Sequence, residues 1–381
     1  PEELIDAHQR GEVVFFCGAG ISMNNGYPSF QKLYQNLCEY FDFAYYEYLQ
    51  ESSSNEYTPL EIRLNSLANS VQGGITQVKK QVESDFVNVK IDGSLDTQQA
   101  ILKLSSNKDN CLHLITTNFD SLFSEAAQKI KNKLPLLATE YYPPFLPLSY
   151  GTEWNGIVYL HGNFENSSKI SNYDSIILTS SDFGRAYLTE GWATNFMKFV
   201  FSKYKVCFIG YSLKDQIFSY LMDSISDDDS NDSVKAWIIT DTKEDTLKNE
   251  DWLYKTKNYW KSKKVEPIFY VVNNYDYSEL HGSIIKWAEV YQDDSKFRYE
   301  TIQKIIHLTY DDSETFIDNL KSICWILLNP SKILLKNLKA LNHKKTLKFF
   351  LYLQRLCLAL RLKQDKIDSN YVQYPQYNEQ Y

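Results

Sequence analysis

The stretch that decides the fold is GEVVFFCGAGISMNNGYPSF, residues 11–30. It opens with five consecutive apolar residues, Val13 to Cys17. Such a run, rich in β-branched and aromatic side chains, is typical of a strand buried on both faces of a parallel sheet. Gly18-Ala19-Gly20 follows at once. Small residues at a strand end allow backbone N–H groups to approach a phosphate, so the stretch predicts a nucleotide-phosphate loop.

The glycine pair alone does not decide between such a loop and a tight strand-to-helix turn of any doubly wound fold. The spacing departs from the G-x-G-x-x-G pattern of dinucleotide-binding loops, because Met23 stands where the third glycine belongs. Gly26 comes only later, beside Tyr27 and Pro28. Other segments of the chain therefore have to carry the functional argument.

Polar residues follow two later strand-like runs. The run Cys111 to Thr117 predicts a strand that ends at Asn118, with Asp120 just beyond it, and Ile157 to Leu160 predicts a strand followed by His161. Ligands of open parallel sheets collect at the carboxyl ends of the strands, so these three polar residues are candidates for a site. An N-cap role for Asp120 and an ordinary hydrogen-bonding role for His161 are the structural alternatives.

Four segments, taken in order, resemble the NAD site of the sirtuin family, and a G-x-P-x-F element at Gly26 to Phe30 follows the first of them. The closer resemblance is to the divergent sirtuin-like domains of bacterial anti-phage defence systems, whose members hydrolyse NAD+. It covers about the first three quarters of the chain. The segments are Gly18-Ala19-Gly20-Ile21-Ser22, Thr116-Thr117-Asn118-Phe119-Asp120, Leu160-His161-Gly162 and Gly210-Tyr211-Ser212-Leu213 with Asp215.

The resemblance implies a role for each matching residue. Asn118 would position the attacking water and bind the nicotinamide ribose, and His161 would act as a general base or orient the ribose hydroxyls. Asp120 would accept a hydrogen bond from the nicotinamide carboxamide. The implied phosphate, ribose and adenosine contacts are Gly18, Ala19, Gly20, Ser22, Gly210, Ser212 and Asp241.

Departures from the family pattern favour water over an acyl-lysine peptide as the acceptor. Deacylating sirtuins carry a four-cysteine zinc module after the histidine strand, whereas residues 163–205 contain no cysteine. Their loop reads G-x-P-D-F-R, but Ser29 and Gln31 replace the Asp and Arg here, and Thr117 replaces the Gln before the asparagine. We therefore predict an NAD+ glycohydrolase effector that uses no metal and depletes NAD+ in abortive infection.

The predicted fold class is α/β, a doubly wound Rossmann-like parallel sheet with a helical insertion and an all-helical C-terminal region. We expect a catalytic domain over residues 1–282, with the insertion at about 31–104, and a helical region over 283–381. The insertion is either a lid on the nucleotide cleft or only a cover for the sheet. Further strands are predicted at 206–209, 235–240 and 265–272, and helices at 2–10, 30–48, 60–90, 122–131 and 179–201.

Composition narrows the class of protein. The 381 residues carry a formal net charge of −8 with both signs interspersed, which argues against a nucleic-acid surface. None of the six cysteines forms a C-x-x-C pair, so neither a zinc ribbon nor a disulfide framework is expected. No signal peptide or membrane-length apolar run occurs, and the expected location is cytoplasmic. Because the chain begins at Pro1 without Met, a piece of a longer protein and a complete subunit both stay open.

Two other function classes remain open from the sequence. One is a non-catalytic NAD or ADP-ribose binding module that regulates a partner. The other is a deacylase or ADP-ribosyltransferase that has exchanged its substrate half. The family resemblance implies a homo-oligomer. The helical tail would be explained by an effector cut from a longer NTPase-sensor protein, by a subunit that assembles with a separate ATPase or Argonaute partner, or by a self-oligomerising enzyme. The sequence does not name the trigger, and no membrane contact is expected.

Overall fold

The structure, a computed structural model, describes residues 2–43, 58–91, 93–107, 111–130, 139–147, 154–164, 173–211, 234–272 and 276–292. A compact unit spans Pro1–Ala288 and contains the site discussed below. The helices predicted beyond residue 292 lie outside the described residues, so the predicted domain division stays a prediction. No helix in the described ranges is both long and apolar enough to cross a membrane.

Seven parallel strands form one sheet in the order β3-β4-β2-β1-β5-β6-β7. The strands are β1 (Val13–Cys17), β2 (His113–Thr116), β3 (Thr139–Tyr141), β4 (Gly156–Tyr159), β5 (Lys205–Ile209), β6 (Ala236–Thr242) and β7 (Val265–Val271). The predicted doubly wound parallel sheet is therefore confirmed. Sequence analysis missed only β3, which has three residues and shows no apolar run.

The direction of winding reverses at β1. The strands that follow β1 in the chain, β2 to β4, lie on one side of it, in the spatial order β2, β4, β3. The later strands β5, β6 and β7 lie on the other side. In register, Phe15 of β1 pairs with Leu114 of β2 and with Cys207 of β5. In doubly wound sheets, ligands bind in a crevice at the carboxyl edge beside such a reversal.

Helices cover the sheet and fill the connections. The loop after β1 holds two short 3₁₀ turns, Ala19–Ile21 and Met23–Asn25. Later in the chain, the short α-helix Ser180–Phe183 continues into a π-helical segment, Gly184–Thr189. The α-helices are α1 (Glu2–Gln9), α2 (Phe30–Tyr40), α3 (Leu60–Ser70), α4 (Gly74–Val87), α5 (Asp96–Ser105), α6 (Leu122–Lys129), α7 (Ser180–Phe183), α8 (Trp192–Lys203), α9 (Glu244–Leu247), α10 (Glu250–Ser262) and α11 (Ser278–Gln292).

One apolar core joins a face of the sheet to α8 and α10. Phe16 of β1 and Phe208 of β5 lie 5.0 Å apart between ring centroids, and both are fully buried. Phe196 of α8 and Trp260 of α10 belong to the same cluster. Burial of such aromatic side chains is the main source of stability for the central strands.

Helices α2, α3 and α4 have a second core of their own. Leu37 of α2, Leu64 of α3 and Val82 of α4 are buried together. Phe119 and Phe164, from the loops after β2 and β4, belong to this core. The helical insertion therefore packs directly on the loops that carry the candidate polar residues.

Three predicted helical stretches differ from the structure. The stretch expected over 60–90 forms two helices, α3 and α4. The helix expected over 30–48 ends at Tyr40, and part of the remainder lies outside the described residues. The single helix expected over 179–201 is interrupted, because Gly191 adopts φ 66° and separates the π-helical segment from α8. A left-handed glycine stops a helix even where the apolar spacing continues. Helices α9 and α10 were not predicted.

Candidate functional site

A cavity of about 300 Å³ opens at the carboxyl edge of the sheet. Gly18 is not among the residues that line it, and Ser212 lies outside the described residues. Asn118 and His161, which the sequence places after different strands, line this one cavity. The predicted site residues along its wall are Ala19, Gly20, Ser22, Asn118, Asp120, His161, Gly210 and Asp241.

Glycines bring the loops after β1 and β5 into backbone contact. A Cβ added at Gly20 would lie 2.9 Å from the Cα of Gly210, and one added at Gly210 would lie 2.9 Å from the carbonyl oxygen of Gly18. Gly210 also has φ 76°, a conformation that side chains with a Cβ adopt only under strain. The close approach of the two loops therefore requires glycine at these positions.

Backbone N–H groups of these glycines are engaged within the protein. Gly18 N–H donates to the carbonyl of Ile209 over 2.9 Å, and Gly20 N–H donates to the carbonyl of Gly210 over 3.1 Å. The glycines thus have a demonstrable packing role. Phosphate binding by this loop stays a prediction.

The hydroxyl of Ser22 links the loops after β1 and β2. The side-chain nitrogen of Asn118 donates to Ser22 Oγ over 2.9 Å and to the carbonyl of Gly18 over 3.1 Å. Ser22 in turn hydrogen-bonds the carboxyl of Asp120. All three side chains are buried, so one polar network fixes the asparagine relative to the glycine loop.

This network defines what Asn118 can offer a ligand. A carbonyl oxygen only accepts hydrogen bonds, so the side-chain atom of Asn118 that faces Gly18 has to be nitrogen. Both amide hydrogens are then used within the protein. The amide oxygen is the group with which this cavity-lining residue can accept a hydrogen bond from a hydroxyl or a water.

Asp120 combines a structural role with an unusual ionisation. Its Oδ1 accepts from the backbone N–H of Leu122 over 3.1 Å at the start of α6, but the N-cap residue of α6 is Ser121, so Asp120 is not the N-cap. Burial raises the pKa of Asp120 to about 6, although the hydrogen bonds from Ser22 and Leu122 oppose the rise. The carboxyl therefore changes charge just below neutral pH.

Asp120 should leave a measurable signature in the pH dependence of stability. In the unfolded chain Asp titrates at about pH 3.9, whereas Asp120 in the folded protein titrates at about 6. Its favourable contribution to the free energy of unfolding is therefore full below about pH 4 and is lost as pH rises through about 6. We expect the stability difference between the wild type and Asp120→Asn to fall by about 2–3 kcal/mol between pH 4 and 7. Urea denaturation across this range measures it, and parallel curves would contradict the assignment.

His161 follows β4 and is buried against two aromatic rings. Its Nε2 lies 3.1 Å from the hydroxyl of Tyr187, and the ring of Phe183 meets it edge-on with centroids 5.0 Å apart. Burial lowers the pKa of His161 to about 3, so the imidazole is neutral at physiological pH. Because Tyr187 occupies Nε2, Nδ1 is the ring nitrogen with which His161 can meet a ligand.

Comparison with known families agrees with this arrangement. Residues 112–268 match the sequence profile described as the SIR2-like domain. This part of the chain is therefore similar to SIR2-like domains. The matched range runs from the start of β2 into β7, so it contains Asn118, His161, Gly210 and Asp241 but not the glycine loop after β1.

Two curated relatives match parts of this chain. "Uncharacterized protein y4cA" of Sinorhizobium fredii is 25% identical over 236 residues, which covers 60% of this chain and 19% of the relative. "Defense-associated sirtuin 2" of Bacillus subtilis is 24% identical over 294 residues, which covers 74% of this chain and 26% of the relative. The alignments thus span about a quarter or less of these relatives. The predicted similarity to defence-associated sirtuin-like domains is confirmed.

An aromatic wall closes one side of the cavity. Phe86 of α4 lies 5.2 Å from Tyr27 and 6.2 Å from Phe119 between ring centroids, and all three line the cavity. The helical insertion therefore forms part of the cavity wall. Phe86, Phe183 and Tyr187 were missed by sequence analysis, since only the position of Phe119 next to Asn118 gave a signal.

Two cysteines of the central strands, Cys17 and Cys207, are fully buried. Burial raises the pKa of Cys17 and of Cys207 well above the ordinary range, so both thiols stay protonated. No group of three or more His, Cys, Asp or Glu side chains in the described ranges is placed to hold a metal ion.

Proposed function

We propose that this domain is an NAD+ glycohydrolase that cleaves the nicotinamide–ribose bond to give nicotinamide and ADP-ribose. The observation that carries the proposal is the single cavity lined by Asn118 and His161 at the reversal point of a parallel sheet. This is where a doubly wound sheet binds a dinucleotide. The resemblance of the surrounding motifs to sirtuin NAD sites supports the same ligand.

The chemistry requires positioning more than strong acid or base catalysis. Loss of nicotinamide leaves an oxocarbenium-like ribose, which water then attacks. The amide oxygen of Asn118 would accept from that water or from a ribose hydroxyl, and a neutral His161 would orient the ribose hydroxyls. A pKa of His161 lowered to about 3 favours this orienting role over that of a strong base.

Water is the proposed acceptor because the features that bind an acyl-lysine peptide are missing from the sequence. No cysteine occurs at 163–205, and Ser29 and Gln31 replace the acidic and basic residues of the deacylase loop. The aromatic wall at Phe86 and Phe119 would limit the entry of bulk solvent, so that a bound water reacts.

We further propose a role in anti-phage defence, in which NAD+ depletion halts the infected cell. The support is similarity to a relative named Defense-associated sirtuin 2. Homo-oligomerisation and a separate or fused ATPase, Argonaute or sensor module as trigger remain proposals carried by the family resemblance alone.

The proposal is tested by incubating the purified chain with NAD+ and following nicotinamide and ADP-ribose. We expect turnover that falls by about a hundredfold or more in Asn118→Ala and in His161→Ala. The control Asn88→Ala changes an exposed asparagine at the end of α4 and should keep full turnover. Equal turnover by all variants would remove the site assignment.

Calorimetric binding of NAD+ covers the case of an inactive preparation. Saturable binding without turnover, even after phage infection of cells that express the chain, would favour the regulatory binding module. Consumption of NAD+ only with an acylated peptide or protein present would favour the deacylase or ADP-ribosyltransferase alternative. Absence of both binding and turnover would overturn the proposal.

A further inference from the structure

The strand order sets the direction of a bound dinucleotide. Across the carboxyl edge, His161 follows β4, Asn118 follows β2, Gly210 follows β5 and Asp241 lies near the end of β6. Neighbouring strands are about 4.8 Å apart, and β6 is three strands away from β2. The two strands are therefore separated by roughly 14 Å in total. That distance suits an extended dinucleotide whose glycosidic bond lies at Asn118. Its adenosine half would then reach β6 and β7.

The far end of the cavity carries a carboxylate beside apolar and phenolic groups. Asp241 of β6 pairs in register with Tyr270 of β7, and Tyr277 and Leu280 at the start of α11 line the same end. Burial, and after it the nearby Asp241 carboxylate, raises the pKa of Tyr270, which places the two side chains close together. Rings for stacking and one carboxylate suit a nucleoside.

The charged side chains among the described residues that line the cavity are acidic. Among the described residues that line it, the carboxylates are Asp120 and Asp241, and none is a lysine or arginine. A ribose 2′-hydroxyl can donate to the Asp241 carboxylate, whereas a 2′-phosphate would face that carboxylate with no lysine or arginine among the described lining residues to balance it.

We propose that Asp241 makes this site selective for NAD+ over NADP+, by binding the adenosine 2′-hydroxyl and repelling a 2′-phosphate. The inference rests on the proposed function, because it takes the cavity to be a dinucleotide site. Asp241 would then be a specificity-determining residue, and NADP+ would be excluded as a substrate. Cleavage would then deplete NAD+ and leave NADP+ largely intact.

The test uses ADP-ribose and 2′-phospho-ADP-ribose as calorimetric probes of the purified chain. Both lack nicotinamide, so their binding does not depend on turnover. We expect ADP-ribose to bind on the order of a hundredfold more tightly. Asp241→Asn should reduce this preference for ADP-ribose over 2′-phospho-ADP-ribose to about tenfold or less. Asp241→Arg should reduce the preference further or reverse it.

A matched control separates a local contact from the overall charge. Asp245→Asn makes the same change at an exposed residue of α9 that does not line the cavity, and it should leave the affinity ratio unchanged. Equal affinities in the wild type, or a ratio unaffected by Asp241→Asn, would overturn the inference. Binding of neither probe would overturn the proposed function as well. Selective ADP-ribose binding by a chain that does not hydrolyse NAD+ would refute hydrolysis and support the selectivity.

Discussion

We expect the substitution Lys79→Met to lower the free energy of unfolding by about 3–5 kcal/mol. Lys79 is 3% exposed, and its ammonium donates to the Asp182 carboxylate over 2.9 Å and to the carbonyls of Ile176 and Tyr173 over 2.7 and 3.2 Å. Methionine fills a similar volume but leaves the Asp182 carboxylate buried without its main counter-charge. Urea denaturation at pH 7 measures the loss.

Two further variants test the electrostatic cause. Lys255→Met makes the same replacement in an exposed pair with Asp251 and should change stability little. Lys79→Met/Asp182→Asn removes both charges and should recover part of the stability. A double variant no more stable than Lys79→Met would contradict the explanation, because the loss would then come from packing or from the carbonyl contacts.

The Lys79–Asp182 pair also has a consequence for the site. Lys79 lies on α4 of the helical insertion, and Asp182 closes the capping box that starts α7. Ile177, next to the Ile176 carbonyl that accepts from Lys79, and Phe183, next to Asp182, both line the cavity. Destabilising the pair should therefore loosen one wall of the site and weaken binding before the whole domain unfolds.

Gly210→Ala should be severely destabilising, by about 3 kcal/mol or more, and should also abolish binding of the dinucleotide. At φ 76° a side chain is strained, and the new Cβ would lie 2.9 Å from both the Gly18 oxygen and the Ile21 nitrogen. Both are backbone atoms that cannot rotate away. Displacing Gly18 would also disturb Asn118, which donates to its carbonyl. Thermal denaturation and NAD+ calorimetry measure the two effects.

Gly282→Ala is the matched control for this change. A Cβ added at Gly282, within α11, would meet no atom within 4 Å. Alanine favours a helix over glycine by about 1 kcal/mol, so this variant should be as stable as the wild type or slightly more so. If Gly210→Ala were as stable as Gly282→Ala, the two loops would not be in the contact described here.

Local sequence patterns were sufficient for the strands and for several helix ends. The run Val13 to Cys17 is a strand as predicted, because residues buried on both faces leave a continuous apolar signature. Gly11, at φ 77°, ends α1, and Thr179 begins α7 through its capping box with Asp182. These signals succeed because their causes lie within a few neighbouring residues.

The site was predicted as a set of residues and not as a geometry. The sequence pointed to Asn118 and His161, because polar residues after buried strands lie at the carboxyl edge of a parallel sheet. It gave no indication that Ser22 joins Asn118 to Asp120, or that Tyr187 contacts His161. Their roles in catalysis stay predictions until the variants are measured.

The amino-acid sequence by itself determined the parallel α/β architecture and the strand ends that carry polar residues, since both follow from apolar periodicity and local turn chemistry. Only the tertiary structure decided which of those ends meet in one cavity and which charges are buried together. Lys79 and Asp182 are 103 residues apart in the chain, and the raised pKa of Asp120 comes from burial by several elements. Such effects depend on strand order and packing, which no local pattern encodes.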